Sequence, residues 1–386
     1  MRIAVVAESF LPHMNGVTHS LLQVIAHLRR RGDEVRIIAP TSSWLDDEAP
    51  SAVEGYPVLR LPSIPLRGYP SVRVAAGTVA RVRRLLADFA PDVVHVASPF
   101  ILGWRAVQAA HQLGIPVVSI YQTEIPAYAA RYGLPWLEQL LWQRVENIHQ
   151  LSTLTLAPSS FALEQLHSRG IQRVHLWRRG VDTVRFSPAK YDGAWRASVA
   201  PRGERIIGYV GRLAAEKQVE DLAVLADIPG TKLVIVGSGP LKQMLQAKLP
   251  GAHFAGFQGG EQLARTMASL DLFVHPGESE TFCQTIQEAY ASGVPVVAVG
   301  RGGPLDLVDP SRTGWTYRPG RLDELRARVL DLVGDDIKRQ AFGRAACQAV
   351  QGRTWPVLCE QLVGYYAKAI EIKRRVRNME AHARQH

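Results

Sequence analysis

The sequence predicts an α/β protein made of two doubly wound halves. Two observations carry this. Short apolar runs bounded by turn residues alternate with segments of helical periodicity, and after an interruption the same rhythm begins again at Ile206. A length of 386 residues suits two cores of this kind better than one. The restart is a second domain and not a repeat array.

In the first half, Ile3–Ala7, Val35–Ala39, Val93–Val96 and Val117–Tyr121 are nearly all apolar, as strands buried on both faces of a parallel sheet must be. A helix from about Val17 to Arg31 joins the first two, with Leu21, Leu22, Ile25 and Leu28 on one face and Gly32 as its stop. Pro91-Asp92 and Gly114-Ile115-Pro116 punctuate before the third and fourth strands. The second set of strands is Ile206–Val210, Lys232–Val236, His253–Ala255, Leu272–His275 and Val296–Val299. Helices fit between them near Val219–Ala226, Leu241–Lys248, Glu261–Ser269 and Phe282–Ser292. Ser187–Arg205, with Pro188, Gly193, Pro201 and Gly203, reads as a linker. This puts an N-terminal domain at 1–185 and a C-terminal domain at 200–355, with helix from Trp355 onward. Ligands of such sheets bind outside the strand carboxyl ends, so two Rossmann-like domains facing a central cleft are expected to share one crevice.

Hydrophobic content of 47% and charged content of 21% exclude a disordered chain. No apolar run reaches the roughly 18 residues of a membrane span. Met1-Arg2-Ile3-Ala4-Val5-Val6 reads as a first strand, not as a signal peptide. Cys283, Cys347 and Cys359 form no CxxC pair and no zinc spacing, so a reducing cytoplasm and no metal are expected. A net charge of +10 favours anionic partners. Nucleic acid is not expected, because no helix-turn-helix or aromatic-interleaved basic motif is present. Basic residues cluster in the first half: Arg29-Arg30-Arg31, Arg60, Arg67, Arg73, and a stretch Ser71–Phe89 that sets Val72, Val79, Val82, Leu85 and Leu86 against Arg73, Arg81, Arg83 and Arg84. Such a face suits peripheral contact with an anionic membrane surface as well as it suits a solvated helix.

The richest motif is His275-Pro276-Gly277-Glu278-Ser279-Glu280-Thr281-Phe282-Cys283-Gln284-Thr285-Ile286-Gln287-Glu288. It runs from a strand through a loop into a helix. The amides of Phe282, Cys283 and Gln284 at the helix start suit a phosphate. Glu280 beside them can accept from sugar hydroxyls, and Glu288 two turns on can accept from a ribose diol. A second motif, Gly208-Tyr209-Val210-Gly211-Arg212-Leu213-Ala214-Ala215-Glu216-Lys217, places Arg212 and Lys217 after the first strand of the second half, where two cations would stabilise a departing diphosphate. Asn15-Gly16 opens the first helix, with Gly16 allowing close backbone approach. Gly237-Ser238-Gly239-Pro240 and Gly256-Phe257-Gln258 are candidate walls for a base.

The Glu280–Glu288 pair, followed by Ala289-Tyr290-Ala291-Ser292-Gly293-Val294-Pro295, resembles the signature of retaining GT-B glycosyltransferases of family 4, and the resemblance spans nearly the whole chain. It implies a GT-B fold and hexosyl transfer from a nucleotide-diphosphate sugar, with no metal and no further cofactor. Among catalytic residues it implies Glu280, Arg212 and Lys217; apart from the resemblance, Glu8 and Glu124 are the carboxylates at the strand ends of the first half that could serve as a nucleophile, and Glu124 or Gln122 could contact the sugar or the acceptor. For the donor it implies Gly16, Gly211, Gly237, Gly239, Phe257, Thr281, Phe282, Cys283, Gln284 and Glu288. Asn15, Ser98, Tyr121 and Gln122, at helix and strand ends on the same crevice, are the candidate acceptor contacts, and the resemblance has the 360–386 helix packing back on the first domain. Many members carry a histidine near Tyr121-Gln122-Thr123-Glu124; this chain has none there. Ala7-Glu8-Ser9-Phe10, Ala97-Ser98-Pro99 and Ser279–Gln284 are similar to a narrower group, actinobacterial GDP-mannose-dependent α-mannosyltransferases acting on membrane glycolipids, and plant-type sulfolipid synthases share much of it. The implied donor is GDP-mannose. The alternatives are a UDP-sugar lipid glycosyltransferase, a nucleotide-sugar epimerase, and a non-enzymatic basic binder.

Overall fold

A computed structural model describes residues 1–41, 49–66, 69–98, 100–122 and 135–383, with the side chains of 65–66, 69–74 and 135–137 left aside. The chain separates into two compact units. One runs through Arg178 and takes the chain back from Trp355 to the end; the other is essentially Arg179–Thr354. The division falls earlier than the 185 boundary, and Gly193–Val199 of the expected linker is a helix capped by Asp192.

The first unit holds an eight-stranded sheet. Its strands are β1 (Arg2–Val6), β2 (Glu34–Pro40), β3 (Ala52–Val53), β4 (Tyr56–Leu61), β7 (Val93–Val96), β8 (Val117–Ile120), β9 (Leu154–Ala157) and β10 (Val174–Leu176), while β5 (Ser63–Leu66) and β6 (Tyr69–Ala75) form a separate hairpin. The order β10-β9-β8-β7-β1-β2-β4-β3 is parallel except at β3–β4. Helices α1 (Gly16–Arg31), α2 (Val79–Phe89), α3 (Ile101–Gln112), α4 (Pro135–Leu151) and α5 (Ser160–Ser168) join the strands. Helix α1 ends as the sequence implies: Gly32 at φ 75 turns its amide back onto the carbonyls of Leu28 and Arg29. The second unit has the order β13-β12-β11-β14-β15-β16, wholly parallel, from β11 (Arg205–Val210), β12 (Thr231–Val236), β13 (His253–Gly256), β14 (Leu272–His275), β15 (Val296–Val299) and β16 (Gly314–Tyr317). This is the doubly wound order whose direction reverses between β11 and β14. Its helices are α6 (Gly193–Val199), α7 (Lys242–Lys248), α8 (Gly260–Ala268), α9 (Gln284–Ala291), α10 (Pro304–Leu307), α11 (Leu322–Val333) and α12 (Asp336–Val350).

The last helix, α13 (Trp355–Ala383), belongs to the first unit. It buries Trp355, Leu358, Cys359, Leu362, Val363, Tyr366 and Ala369, the spacing of one helical face. Trp177 Nε1 donates to the Leu358 carbonyl at 2.7 Å, His27 Nε2 meets Glu360 at 2.9 Å, and Tyr366 Oη lies 2.6 Å from His95 Nδ1. Both His95 and Tyr366 are fully buried. Tyr366→Phe therefore strands a buried ring nitrogen, and urea unfolding should show a loss of about 1–3 kcal/mol; an unchanged midpoint would mean that the bond adds nothing.

The stretch Ser71–Phe89 is not one amphipathic helix. Its first part is strand β6, and α2 turns Val82, Leu86 and Phe89 into the core, while Arg81, Arg83 and Arg84 are exposed beside an exposed Asp88; the side chain of Arg73 lies outside the described residues. Arg60 is also lost to the expected surface: its guanidinium donates to the carbonyls of Pro40 and Pro50. Arg67 lies outside the described residues. Among the described residues no helix is long and apolar enough to cross a membrane.

Candidate active site

The reversal point of the second sheet gathers the charged groups. After β11 the chain makes a short turn to Lys217; after β14 it runs through Pro276–Cys283 into α9. Lys217 Nζ donates to Glu280 Oε1 at 2.5 Å, and His275 Nε2, on the last residue of β14, is 3.2 Å from the same oxygen. Burial would raise the Glu280 carboxyl, but the Lys217 ammonium and the His275 imidazole hold it well below the ordinary carboxylate range. Burial opposes charge on His275, yet Cys283 and Glu280 lift it to about 9. The site is therefore an ionised carboxylate between two cations. Neighbouring Glu278 is fixed by Gln218, which donates to it at 3.3 Å and accepts from its amide at 2.9 Å, and by Arg301 at 3.2 Å.

Close backbone packing shapes the surroundings. A Cβ on Gly237 would lie 1.9 Å from the Gly211 carbonyl oxygen, and one on Gly239 would lie 2.3 Å from that of Leu213. The loops after β11 and β12 thus touch through bare backbone, as a wall that presents amides and carbonyls requires. On the other flank the Gly303 amide donates to the Glu280 carbonyl at 2.7 Å, and a Cβ there would sit 2.4 Å from Phe282 Cα. Gly303→Ala should displace the Glu280 loop and lower turnover at least tenfold with a smaller change in melting temperature, checked by steady-state kinetics beside a thermal melt.

Glu288 is not a solvated helix residue. It is buried on the second turn of α9, where burial pushes its carboxyl up to about 8, against Arg185 and helped by Asp182. Gln284 and Gln287 of the same helix donate to the carbonyls of Gly180 and Arg179, each at 2.9 Å, so α9 is pinned from its outer side. The helix itself begins at Gln284, two residues later than expected, and Cys283 caps it at φ 72. Of the other expected donor contacts, Thr281 and Cys283 are buried beside Glu280 and Phe257 is exposed; Arg212, expected to be catalytic, is exposed two residues after β11. Phe282 is 1% exposed and belongs to the core, so only its backbone can meet a ligand. A cavity of about 310 Å³ is lined by Asp192, Trp195, Gln258, Glu261, Gln262, Arg265 and Thr266, and so takes in Gln258 of the expected base wall.

In the first unit several expectations change. Tyr121 is fully buried, stacked on Trp142 with its hydroxyl donating to Gln165, and is a core residue with no surface for an acceptor. Asn15 caps α1, accepting from the amides of Val17 and Thr18 and donating to Ser9 Oγ at 2.7 Å; Gly16 is the first helical residue. Gln122 donates to the Ala97 carbonyl at 3.2 Å, bracing the loop that carries buried Ser98. Glu8, at the end of β1, accepts from the Leu102 amide at 2.6 Å and so caps α3. Burial lifts its carboxyl to about 7 against those amide bonds. Glu124 lies outside the described residues. The groups that sequence reasoning missed are His275, Gly302-Gly303 and the Gln218–Glu278 pair. The glycine pair two residues beyond the end of β15, after Gly300-Arg301, was the readable signal.

Two family profiles cover most of the chain: Glycosyltransferase Family 4 matches residues 14–185 and Glycosyl transferases group 1 matches residues 194–349. The chain is 45% identical over 369 residues to a GDP-mannose-dependent alpha-mannosyltransferase of Mycobacterium tuberculosis, covering 95% of this chain and 96% of that one. It is 47% identical to the protein of the same name in Mycolicibacterium smegmatis, covering 95% and 97%. Sucrose-phosphate synthase from Thermosynechococcus elongatus shares its GT-B fold at a TM-score of 0.81 and 20% identity, over 95% of this chain and 98% of that one. With its charged groups at the reversal point of a doubly wound sheet and relatives matched nearly end to end, the chain belongs to glycosyltransferase family 4.

Proposed function

We propose that this glycosyltransferase moves mannose from GDP-mannose, with retention and without a metal ion, onto a hydroxyl of a membrane glycolipid. The single observation that carries the reading is the Lys217–Glu280 pair at the sheet reversal, beside the start of α9. A diphosphate at that helix start meets free amides and the positive helix end, while Lys217 supplies the charge that a divalent ion supplies elsewhere. The sugar lies next to Glu280, whose second oxygen accepts from its hydroxyls, and Glu288 takes the ribose diol. In the front-face course, the acceptor oxygen bonds to the anomeric carbon as the bond to the leaving diphosphate breaks, and a phosphate oxygen takes the acceptor proton. The names of the mycobacterial relatives support the guanine base and the mannose. Exposed Arg81, Arg83 and Arg84 on α2, together with half-buried Lys373 and exposed Arg374, Arg375 and Arg377 on α13, support peripheral contact with the anionic inner face of a membrane.

The test is thermal stabilisation in EDTA by GDP, UDP, GDP-mannose and UDP-glucose. Only the guanine pair should raise the melting temperature, in step with its affinity. A shift with the uridine pair alone would replace mannose by a UDP-sugar, and a loss of turnover in EDTA would overturn the metal-free course. For the membrane, sedimentation with anionic liposomes should exceed that with neutral ones; equal binding to both would remove the electrostatic contact.

A further inference from the structure

The Glu280 loop holds a second kind of chemistry. One ligating atom each of His275, Glu280 and Cys283 lie within 4.8 Å of one another. Imidazole nitrogen, carboxylate oxygen and thiolate sulfur are the donor types that zinc takes in three-ligand sites with an open fourth position. Two features of the surroundings point the same way. Both ring nitrogens of His275 are buried without a hydrogen bond, because Glu280 Oε1, although 3.2 Å from Nε2, is a charge contact out of bonding alignment. Cys283 is held at φ 72, a backbone region that glycine enters without cost, so a thiol is kept at this point against local preference.

We infer that His275, Glu280 and Cys283 form a site for a thiophilic divalent cation, Zn²⁺ above all, which fills when the sugar donor is absent and excludes it. Lys217 already holds Glu280 Oε1, so the cation takes the other carboxylate oxygen or displaces the ammonium. In either case the pair that a donor would meet is altered. The cation takes the thiolate and the neutral imidazole, so protons that these side chains carry leave to solvent. Magnesium, which prefers an octahedron of oxygens, does not suit this donor set. Turnover without metal and inhibition by zinc are compatible, because the ion competes with the donor and takes no part in transfer. Cation binding stands by itself; the exclusion of the donor rests on the function proposed above.

Metal-free full-length protein is titrated with Co²⁺ as the spectroscopic stand-in for Zn²⁺. The expected result is a one-to-one thiolate-to-metal charge-transfer band in the near ultraviolet. Zn²⁺ should displace it and Mg²⁺ should not. The band should vanish in Cys283→Ser and survive in Cys347→Ser. Cys283→Gly, which suits the left-handed backbone, serves if the serine variant fails to fold. No band in the wild type, or a band that survives both Cys283 changes, overturns the site. GDP should then suppress the band, and Zn²⁺ should weaken GDP binding at least tenfold. A Cys283-dependent band indifferent to GDP would keep the cation site and overturn its overlap with the donor.

Discussion

Lys217→Ala lowers kcat by about 10²–10³-fold, the range seen when one preorganised electrostatic contact to a developing negative charge is removed. The bond to the leaving diphosphate breaks with charge building on oxygen, and the Lys217 ammonium is the cation that the structure fixes beside the start of α9. Its loss acts twice. The departing phosphate loses a counter-charge, and Glu280 loses the partner that holds its buried carboxyl ionised. Glu280→Gln should cost turnover on a similar scale, because an amide accepts more weakly from sugar hydroxyls and leaves Lys217 without its carboxylate. The double variant Lys217→Ala/Glu280→Gln should then be far less damaging than the product of the two single effects, since the residues act as a unit. Kinetics on all three, each with a thermal melt, decide the matter. If the single variants melt early but turn over normally when folded, the pair is a structural brace and the placement of the diphosphate fails.

Much of this site was readable because its parts sit at strand ends. The runs Ile206–Val210 and Leu272–His275 are apolar and bounded by turn residues, so the polar residues just after them had to lie on one edge of a parallel sheet. The pairing of Lys217 with Glu280 was not readable, since a gap of 63 residues carries no spacing rule. His275 was hidden for another reason. It closes a strand whose other residues are apolar, and a strand-end histidine facing a carboxylate looks in sequence like one packed in the core. Tyr121 failed in the opposite sense. It directly follows a strand at the edge where ligands bind, but strand alternation turns it inward onto Trp142. The strands Tyr56–Leu61, Ser63–Leu66 and Tyr69–Ala75 escaped because proline and arginine interrupt their apolar pattern. Strand Gly314–Tyr317 is four residues long and half polar, too short for periodicity to register.

Glu288→Ala weakens donor binding by about 10²-fold, and the wild-type affinity it removes depends on pH in a stated direction. A ribose diol offers two hydroxyl donors, and a carboxylate can accept from both; a carboxylic acid has given one of its positions to its own proton. Burial raises the Glu288 carboxyl to about 8, so in the empty protein at neutral pH it is mostly protonated. Donor binding then draws on the ionised form and releases a proton. The sign follows from linkage: a ligand that prefers the deprotonated group binds more tightly as pH rises, by up to about tenfold per unit below the free-protein pKa, and levels off above it. Folding stability runs the other way. The native state keeps a proton that the unfolded chain loses near its ordinary carboxyl value of 4.5, so this group lowers stability as pH climbs from there through about 8. Calorimetry of GDP from pH 6 to pH 9 in buffers of different ionisation enthalpy would read both the slope and the proton release. Glu288→Gln, which keeps the shape and cannot titrate, should flatten the slope while binding weakly throughout. A wild-type affinity constant over that range would place the diol elsewhere and leave Glu288 a buried acid with no part in donor recognition.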